Sequence, residues 1–383
     1  MQQPDRGLVM LFTRWYLPSV GGTQTVVHNM AGQLLRQGFR VRLYAASDSD
    51  GVETPRDGLT VIRIAERAVA GRHAPLASWW LTQRHLSRLL NREAQRPVAV
   101  HVFDATFGWA AVNWARRNGV RSVVTLTGYD VRSGSGPLAA IRNLVIGRTL
   151  RHAGLVTSPS RLLADMAADS QGARNVHVVP HGIDFTATAG VENALHIRRR
   201  FGIPADAFVF LSVQRLYPGK TPVNAVRAFS RATSDRRHAF FLIVGDGPGR
   251  LAVERVAKEV GSADRVVLAG AIPHGEVATY MRASDAFVLD TAFESFGMSA
   301  VEAMAAGLPI IGTRAGALPE IIEDGKTGLL SRFGDVDSMA NDMRRVMTNP
   351  ELRDHLRAEA RRTAASFDWS SIAEQYTSGY GAA

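Results

Sequence analysis

The sequence predicts an α/β protein of two doubly wound domains, and three observations predict it. Short apolar runs that read as buried strands alternate with helix-period stretches, the pattern of β-α-β units in parallel sheets. One such unit is complete near the start: Leu8–Phe12, a helix pattern over 26–37, and Arg40–Ala46. Another is complete in the second half: Ala286–Leu289, a helix pattern over 298–308, and Ile310–Thr313. Between the two series lies a polar stretch, Phe185 to Asp206, that reads as a linker with a short helix. The 383 residues fit two or three domains at roughly 150 residues each.

Composition narrows the class. Hydrophobic content of 46% and charged content of 21% are those of a globular chain. No run of about 18 apolar residues occurs, so no spanning helix is expected. Polar Met1–Gly7 leads straight into a strand, so no signal peptide is expected. The absence of Cys excludes disulfides and thiolate metal sites and is compatible with the expected cytoplasmic location. Residues 1–190 hold 22 Arg, no Lys and 12 acids, and residues 191–383 hold 23 bases and 23 acids, so the whole net charge of +10 lies in the first half. Such asymmetry points to an anionic surface or an acidic substrate. No nucleic-acid module is recognisable, so nucleic acid is not expected as a partner. The alternative is an ordinary solvated basic surface.

In chain order, the first strand is followed by the loop Trp15–Gln24, which carries Gly21 and Gly22. The helix pattern Val26–Gln37 then ends at Gly38. Glycines at a helix start let the backbone approach a diphosphate. Asp48-Ser49-Asp50 has the letters of a D-x-D metal motif but sits in a polar loop, and no metal is expected there. Trp79 to Arg96 places Trp80, Leu81, Leu86, Leu89 and Leu90 among Arg84, Arg88 and Arg92, a basic amphipathic pattern; Leu138 to Arg151 is a second. Either suits lipid headgroups; packing on the core is the alternative. Val98–Asp104 and Ser122–Thr127 read as strands, the second leading into Gly128-Tyr129-Asp130. His101 reads as a partly buried strand-end residue. Leu155–Ser158 and Val176–Asp184 close the first domain.

The second domain opens with the strand Phe208–Val213. Arg215 and Lys220 follow in a strand-to-helix loop, where two cations can clamp a diphosphate and stabilise its developing charge. Phe240–Val244 leads into Gly245-Asp246-Gly247-Pro248, and Val266–Gly270 into Ala271-Ile272-Pro273. The last segment, Trp369 to Tyr380, reads as a helix crossing back to the first domain. The stretch 293–309 holds two carboxylates about a helix start: Glu294 in the loop before it, Glu302 inside it. Between them lie the first-turn N–H groups of Phe296, Gly297, Met298 and Ser299. Acceptor-only carboxylates hold sugar and ribose hydroxyls, and N–H groups with the helix dipole hold phosphate or sugar oxygens. The plainer alternative makes Glu294 an electrostatic cap and Glu302 a solvated face residue.

These residues carry a family resemblance. The pair E-x(7)-E, the loop Glu294-Ser295-Phe296-Gly297-Met298 and the helix Glu302-Ala303-Met304-Ala305-Ala306-Gly307-Leu308-Pro309 resemble the donor-sugar motif of retaining GT-B glycosyltransferases of the family 4 type, glycosyltransferase group 1. Gln214-Arg215-Leu216 and Lys220-Thr221 resemble that family's Gly-Arg-Leu-x-x-x-Lys-Gly element, with Gln214 and Thr221 in place of its glycines. Pro180-His181-Gly182-Ile183-Asp184 resembles its Pro-Asn-Gly-Val-Asp turn. The Gly21-Gly22 loop resembles its N-terminal glycine loop, with Gln24 where Glu is frequent. Gly316–Glu320 and Gly325–Gly328 continue the likeness, which is weakest between Asp48 and Ala99.

The resemblance implies two Rossmann-like domains facing across a cleft. Residues 1–187 with 368–383 would form the acceptor-side domain and 188–367 the nucleotide-sugar domain. It implies retaining, metal-independent transfer of a sugar from a UDP- or GDP-type donor to a glycan, lipid-linked or small-molecule acceptor, with no further cofactor. Arg215, Lys220 and Glu294 would be catalytic. Gly21, Gly22, Gly245, Ile272, Phe296, Gly297, Met298, Ser299 and Glu302 would line the donor site, with Glu302 on the ribose. Thr127 stands where the family often has a His near the transferred sugar, so that role passes to Asp130, a threonine hydroxyl or the substrate itself. A sugar-nucleotide epimerase or hydrolase of the same architecture is the alternative enzyme, and a catalytically silent binding protein the alternative class. Beside a sugar-transfer site, the basic first half points to peripheral contact with the anionic inner leaflet. The sequence does not set the oligomeric state.

Overall fold

The computed structural model describes residues 5–19, 21–66, 74–131, 136–184, 194–236 and 238–380. The chain divides into two compact units: Met1–Gly182 with Trp369–Ala383, and Ile183–Asp368. The sequence expectation put the boundary between residues 187 and 188, which lies outside the described residues.

Unit 1 runs β1 (Leu8–Thr13), α1 (Gly22–Arg36), β2 (Arg40–Ser47), β3 (Gly51–Arg56), β4 (Leu59–Ala65), α2 (Ala74–Asn91), β5 (Ala99–Val102) and α3 (Trp109–Arg117). It continues through β6 (Arg121–Thr125), α4 (Gly128–Val131), α5 (Pro137–His152), β7 (Leu155–Ser158), α6 (Arg161–Gln171) and β8 (Val176–Val178). The sheet order is β3-β4-β2-β1-β5-β6-β7-β8, parallel throughout except where β3 runs antiparallel to β4. The central strand β1 is buried along its whole length, as a parallel strand covered on both faces must be. Its Phe12 stacks on Tyr44 of β2 at 4.6 Å between ring centroids. The edge strand β3 is exposed throughout and carries Pro55.

Unit 2 runs α7 (Ala194–Arg200), β9 (Phe208–Val213), α8 (Val223–Ala232), β10 (Ala239–Val244), α9 (Arg250–Glu259), β11 (Val266–Gly270), α10 (Val277–Arg282) and β12 (Ala286–Leu289). It continues through α11 (Met298–Ala305), β13 (Ile310–Thr313), α12 (Leu318–Ile321), β14 (Gly328–Ser331), α13 (Val336–Thr348) and α14 (Pro350–Ala364). The sheet is parallel in the order β11-β10-β9-β12-β13-β14. Strand order reverses between β9 and β12, so their carboxyl-end loops sit side by side at the switch point, where such sheets bind ligands.

The last helix, α15 (Trp369–Ser378), belongs to unit 1. Trp369, Ile372, Ala373 and Tyr376 are buried, and a Cβ at Gly182 would meet the Trp369 indole at 2.4 Å. His101 is not partly but wholly buried. Its Nδ1 lies 2.6 Å from the Tyr380 hydroxyl and its Nε2 2.7 Å from Thr125 Oγ1, and burial pushes its pKa down to about 3. Helix bounds also differ from expectation: α2 spans Ala74–Asn91 where the basic pattern ran from Trp79 to Arg96, and α15 ends at Ser378, not Tyr380. α1 begins at Gly22, and α11 stops at Ala305 because Gly307, at φ +76°, turns the chain before buried Leu308.

Candidate active site

The switch point of unit 2 is held by backbone bonds between loops. Gln214 N–H donates to Val244 O at 3.0 Å, Leu216 N–H to Asp246 O at 3.0 Å, and Gly249 N–H to Leu216 O at 2.8 Å. These lace the loop after β9 to the loop after β10. Gly245 has φ +134°, and a Cβ there would stand 1.9 Å from Gln214 O, so the close approach requires glycine. In this loop Leu216 is buried, while Arg215 is exposed with its guanidinium 5.7 Å from the Tyr217 ring centre.

Asp290, which follows β12, fixes the other side. It accepts from the N–H groups of Asn224 (3.0 Å) and Ala225 (3.1 Å), the first turn of α8, and so satisfies two donors the helix cannot. Burial pushes its pKa up to about 6. Ala292 N–H donates to Gly219 O at 2.8 Å. With the loop of Lys220 fastened this way to the loop of Glu294, Lys220 Nζ comes to 2.7 Å from Glu294 Oε2. The sequence reading did not find Asp290. Its signal was an acid directly after an apolar strand, and its partners lie 66 residues earlier.

Glu294 sits where its backbone meets the 315–317 turn. Ala317 N–H donates to Glu294 O at 2.8 Å, and a Cβ at Gly316 would lie 2.0 Å from that oxygen. Gly297 caps α11 at φ +108°, where a Cβ would press on Leu318 at 2.8 Å. Its carbonyl takes Ala300 N–H (2.9 Å) and Val301 N–H (3.1 Å), while the Met298 and Ser299 N–H groups precede the helical ladder. Phe296 turns its side chain into the core, edge-on to Phe367 at 5.8 Å, so only its backbone faces the loop. Glu302, one turn into α11, has 19% of its side chain exposed and lies with Oε1 3.6 Å from His274 Nε2. Burial pushes its pKa up to about 8. His274 opens a short 3-10 turn just after Ile272 and Pro273; Ile272 packs against the core. The sequence reading missed His274 because its position opposite Glu302 is a matter of strand order.

In unit 1, Gly21 precedes α1 with extended backbone and accepts from Thr25 N–H at 3.1 Å; a Cβ there would lie 2.6 Å from Gln24 Oε1. Gly22 is the first helical residue. At the carboxyl ends of β5 and β6, two carboxylates are buried together. Asp130 Oδ2 accepts from Thr127 N–H and Oγ1–H, both at 2.9 Å, and Oδ1 from Ala105 N–H at 3.0 Å. Burial first, then the charge of Asp104, pushes Asp130 up to about 7. Asp104 Oδ1 accepts from Thr106 N–H, Thr106 Oγ1–H and Phe107 N–H, while its Oδ2 has no hydrogen-bond partner among the described residues. Asp104 was not singled out in the sequence; an acid ending a strand is common and its neighbour Asp130 is 26 positions away. Asp50, of the D-x-D letters, accepts from Ala65 N–H at 2.8 Å and lies 3.4 Å from His85 Nε2, so it ties the open end of the β3–β4 hairpin to α2.

The two basic stretches differ. α2 turns Leu86 and Leu90 into the core and leaves Trp80 and Leu81 on the surface. α5 leaves Leu138, Ile141 and Leu144 exposed at 48%, 38% and 49%. Among the described residues no helix is long and apolar enough to cross a membrane.

With this geometry in view, two family models match the chain. The model of glycosyl transferases group 1 covers residues 194–363, and that of the glycosyl transferase 4-like domain covers 21–182. The chain belongs to the group 1 glycosyltransferases of GT-B fold. This glycosyltransferase is 27% identical to a D-inositol 3-phosphate glycosyltransferase of Frankia alni over 97% of this chain and 94% of the relative. In fold it is similar to sucrose-phosphate synthase from Thermosynechococcus elongatus (TM-score 0.80, 22% identity, 98% of each chain). It is also similar to the Anabaena protein HepE solved in complex with UDP-glucose (TM-score 0.76, 18% identity, 97% of this chain and 98% of that one).

Proposed function

We propose that the protein transfers a sugar, with retention at the anomeric carbon, from a nucleotide-diphosphate sugar of the UDP type to a hydroxyl of an anionic acceptor. The observation that carries this reading is the Lys220–Glu294 pair at the switch point of unit 2, beside the first-turn amides of α11. Lys220 and Arg215 would stabilise the charge that grows on the diphosphate as the anomeric C–O bond breaks. These two cations would offset that negative charge, so the reading needs no metal. Glu294 would accept from the sugar hydroxyls and Glu302 from the ribose, while the N–H groups of Gly297, Met298 and Ser299 face the donor's oxygens. Gly245 and Ile272 would line the nucleotide side with backbone groups.

Asp130 is wholly buried and holds Thr127 through its N–H and Oγ1–H, so we assign neither as the acceptor's base. The acceptor proton would pass to the departing phosphate oxygen as the new C–O bond forms on the same face. UDP-glucose in the Anabaena neighbour and the phosphorylated acceptor named for the Frankia relative support the choice of donor and of an anionic acceptor. The test is turnover of UDP-glucose, UDP-galactose, UDP-N-acetylglucosamine and GDP-mannose with inositol phosphates and phosphorylated sugars, with the product's anomeric configuration read by NMR. An inverted product, or hydrolysis or epimerisation alone with every acceptor, would reject the reading.

One observation favours contact with a membrane as well. Leu138, Ile141 and Leu144 recur at helical spacing on the exposed face of α5, flanked by Arg142, Arg148 and Arg151, in the half of the chain that carries the net +10. An anionic bilayer is the surface that this face fits, and a lipid-linked acceptor would be met there.

A further inference from the structure

On the helical layer of unit 1, α2 and α3 enclose a groove of about 390 Å³. Trp80, Trp109 and Trp114 line it together with Arg84, Arg88 and Arg117, and side-chain amides fill the spaces between them; among the described residues no carboxylate does. The groove is braced. Gln83, 2% exposed, donates to Phe107 O (3.1 Å) and accepts from Ala110 N–H (2.9 Å), tying α2 to the turn before α3. Trp79 Nε1–H donates to Thr106 O at 2.9 Å. At the far end Arg96 donates to the carbonyls of Asn118 and Gly119 at 3.0 and 3.1 Å. The Trp80 ring is 50% exposed, with the Arg84 guanidinium 4.5 Å from its centre.

An indole left in water beside guanidiniums and Asn91 offers an apolar face with hydrogen-bonding neighbours, which matches the C–H face and hydroxyls of a sugar ring. Three guanidiniums without an acid call for carboxylate or phosphate, which Arg binds with a paired fork. The length of α3, roughly 14 Å at 1.5 Å per residue, admits an oligosaccharide and not only one ring. The site is concave between two helices, whereas the surface suited to a flat bilayer is the aliphatic stripe of α5. One loop links its helices to the Asp104–Asp130 cluster. The loop whose Ala105 N–H bonds Asp130 supplies, through Thr106 and Phe107, the carbonyls that anchor α2.

We propose that this groove is a second, non-reacting saccharide site that holds an acidic oligosaccharide, with carboxylate or phosphate groups, as part of a long acceptor or product. Its use in catalysis rests on the glycosyl-transfer reading; its binding chemistry does not. Calorimetry on the full chain with a galacturonic acid tetramer, neutral maltotetraose, inorganic phosphate and a thymidine tetranucleotide tests it. The acidic tetramer should bind, more weakly as salt rises, and R88E/R117E should lose at least about tenfold in affinity, since each substitution removes a charge-assisted contact. Both arginines are exposed, and UDP affinity of this variant should be unchanged. No binding of the acidic tetramer, equal binding of phosphate alone, tighter binding of the oligonucleotide, or an unchanged R88E/R117E would each overturn the site. Failure of the wild type to bind UDP would count against the donor-site reading instead and leave the groove as it stands.

Discussion

Lys220 and Glu294, 74 residues apart in sequence, meet at 2.7 Å at the switch point of unit 2. The ammonium comes from the loop after β9 and the carboxylate from the loop after β12. Asp290 and the Ala292–Gly219 bond hold the two loops in register. Each residue therefore keeps the other in a defined position. In the proposed reaction they separate in role, the cation to the diphosphate and the acid to the sugar hydroxyls.

Lys220→Ala should reduce turnover on the order of 100- to 1000-fold, the usual effect of removing one donor aimed at developing charge. Arg215, exposed and lying by Tyr217, should show a loss in the same direction. Steady-state kinetics on both variants decide this. If both retain near-normal turnover, the donor site lies elsewhere.

The two glutamates should part company in binding. Glu302→Ala should weaken affinity for UDP itself, because its assigned partner is the ribose. Glu294→Ala should leave UDP affinity close to that of the wild type and impair transfer. Calorimetry with UDP on each variant is the measurement, and equal loss in both would refute the division of labour.

Glu302 also sets a pH dependence. Its folded-state pKa, about 8, lies above its ordinary 4.5, so between these values the folded protein holds a proton that the unfolded chain has lost. Stability therefore falls as pH rises through this window and levels off above about 8, by up to about 1.4 kcal/mol per unit. Glu302→Gln removes the ionisation, so its melting temperature should gain on the wild type by a few degrees between pH 5.5 and pH 8.5. Parallel melting curves for the two proteins across that range would show that Glu302 ionises as it does in water.

What the sequence disclosed follows from what is local. β1, β12 and β13 are unbroken apolar runs, and the loop and helix around Glu294 and Glu302 match a motif over many consecutive positions. Positions set by through-space partners were hidden. Asp290 acts on Asn224 and Ala225, His274 meets Glu302 of α11 from the turn before α10, and Asp104 abuts Asp130 only because β5 and β6 are neighbours. The edge strand β3, Gly51–Arg56, carries no alternating apolar pattern because neither face is covered. α2 and α5 have similar mixtures of Leu and Arg, and periodicity alone does not say which leucines find a neighbour. Leu86 and Leu90 are buried against the unit 1 core, whereas Leu138, Ile141 and Leu144 remain exposed.

That difference locates the membrane prediction on one helix. Each basic residue near an anionic surface contributes about 1 kcal/mol, and the three exposed aliphatic side chains of α5 add burial to that attraction. The attraction reaches only about 8 Å at physiological salt, so binding should fall steeply as salt rises. The full chain should co-sediment with vesicles containing phosphatidylglycerol at low salt and not with neutral phosphatidylcholine vesicles. Leu138→Asp with Leu144→Asp, both at exposed positions, should abolish that association while leaving UDP affinity intact. If the variant binds as well as the wild type, the contact does not run through α5. If the wild type does not bind anionic vesicles at low salt, the basic surface of unit 1 is solvated and the acceptor reaches the enzyme from solution.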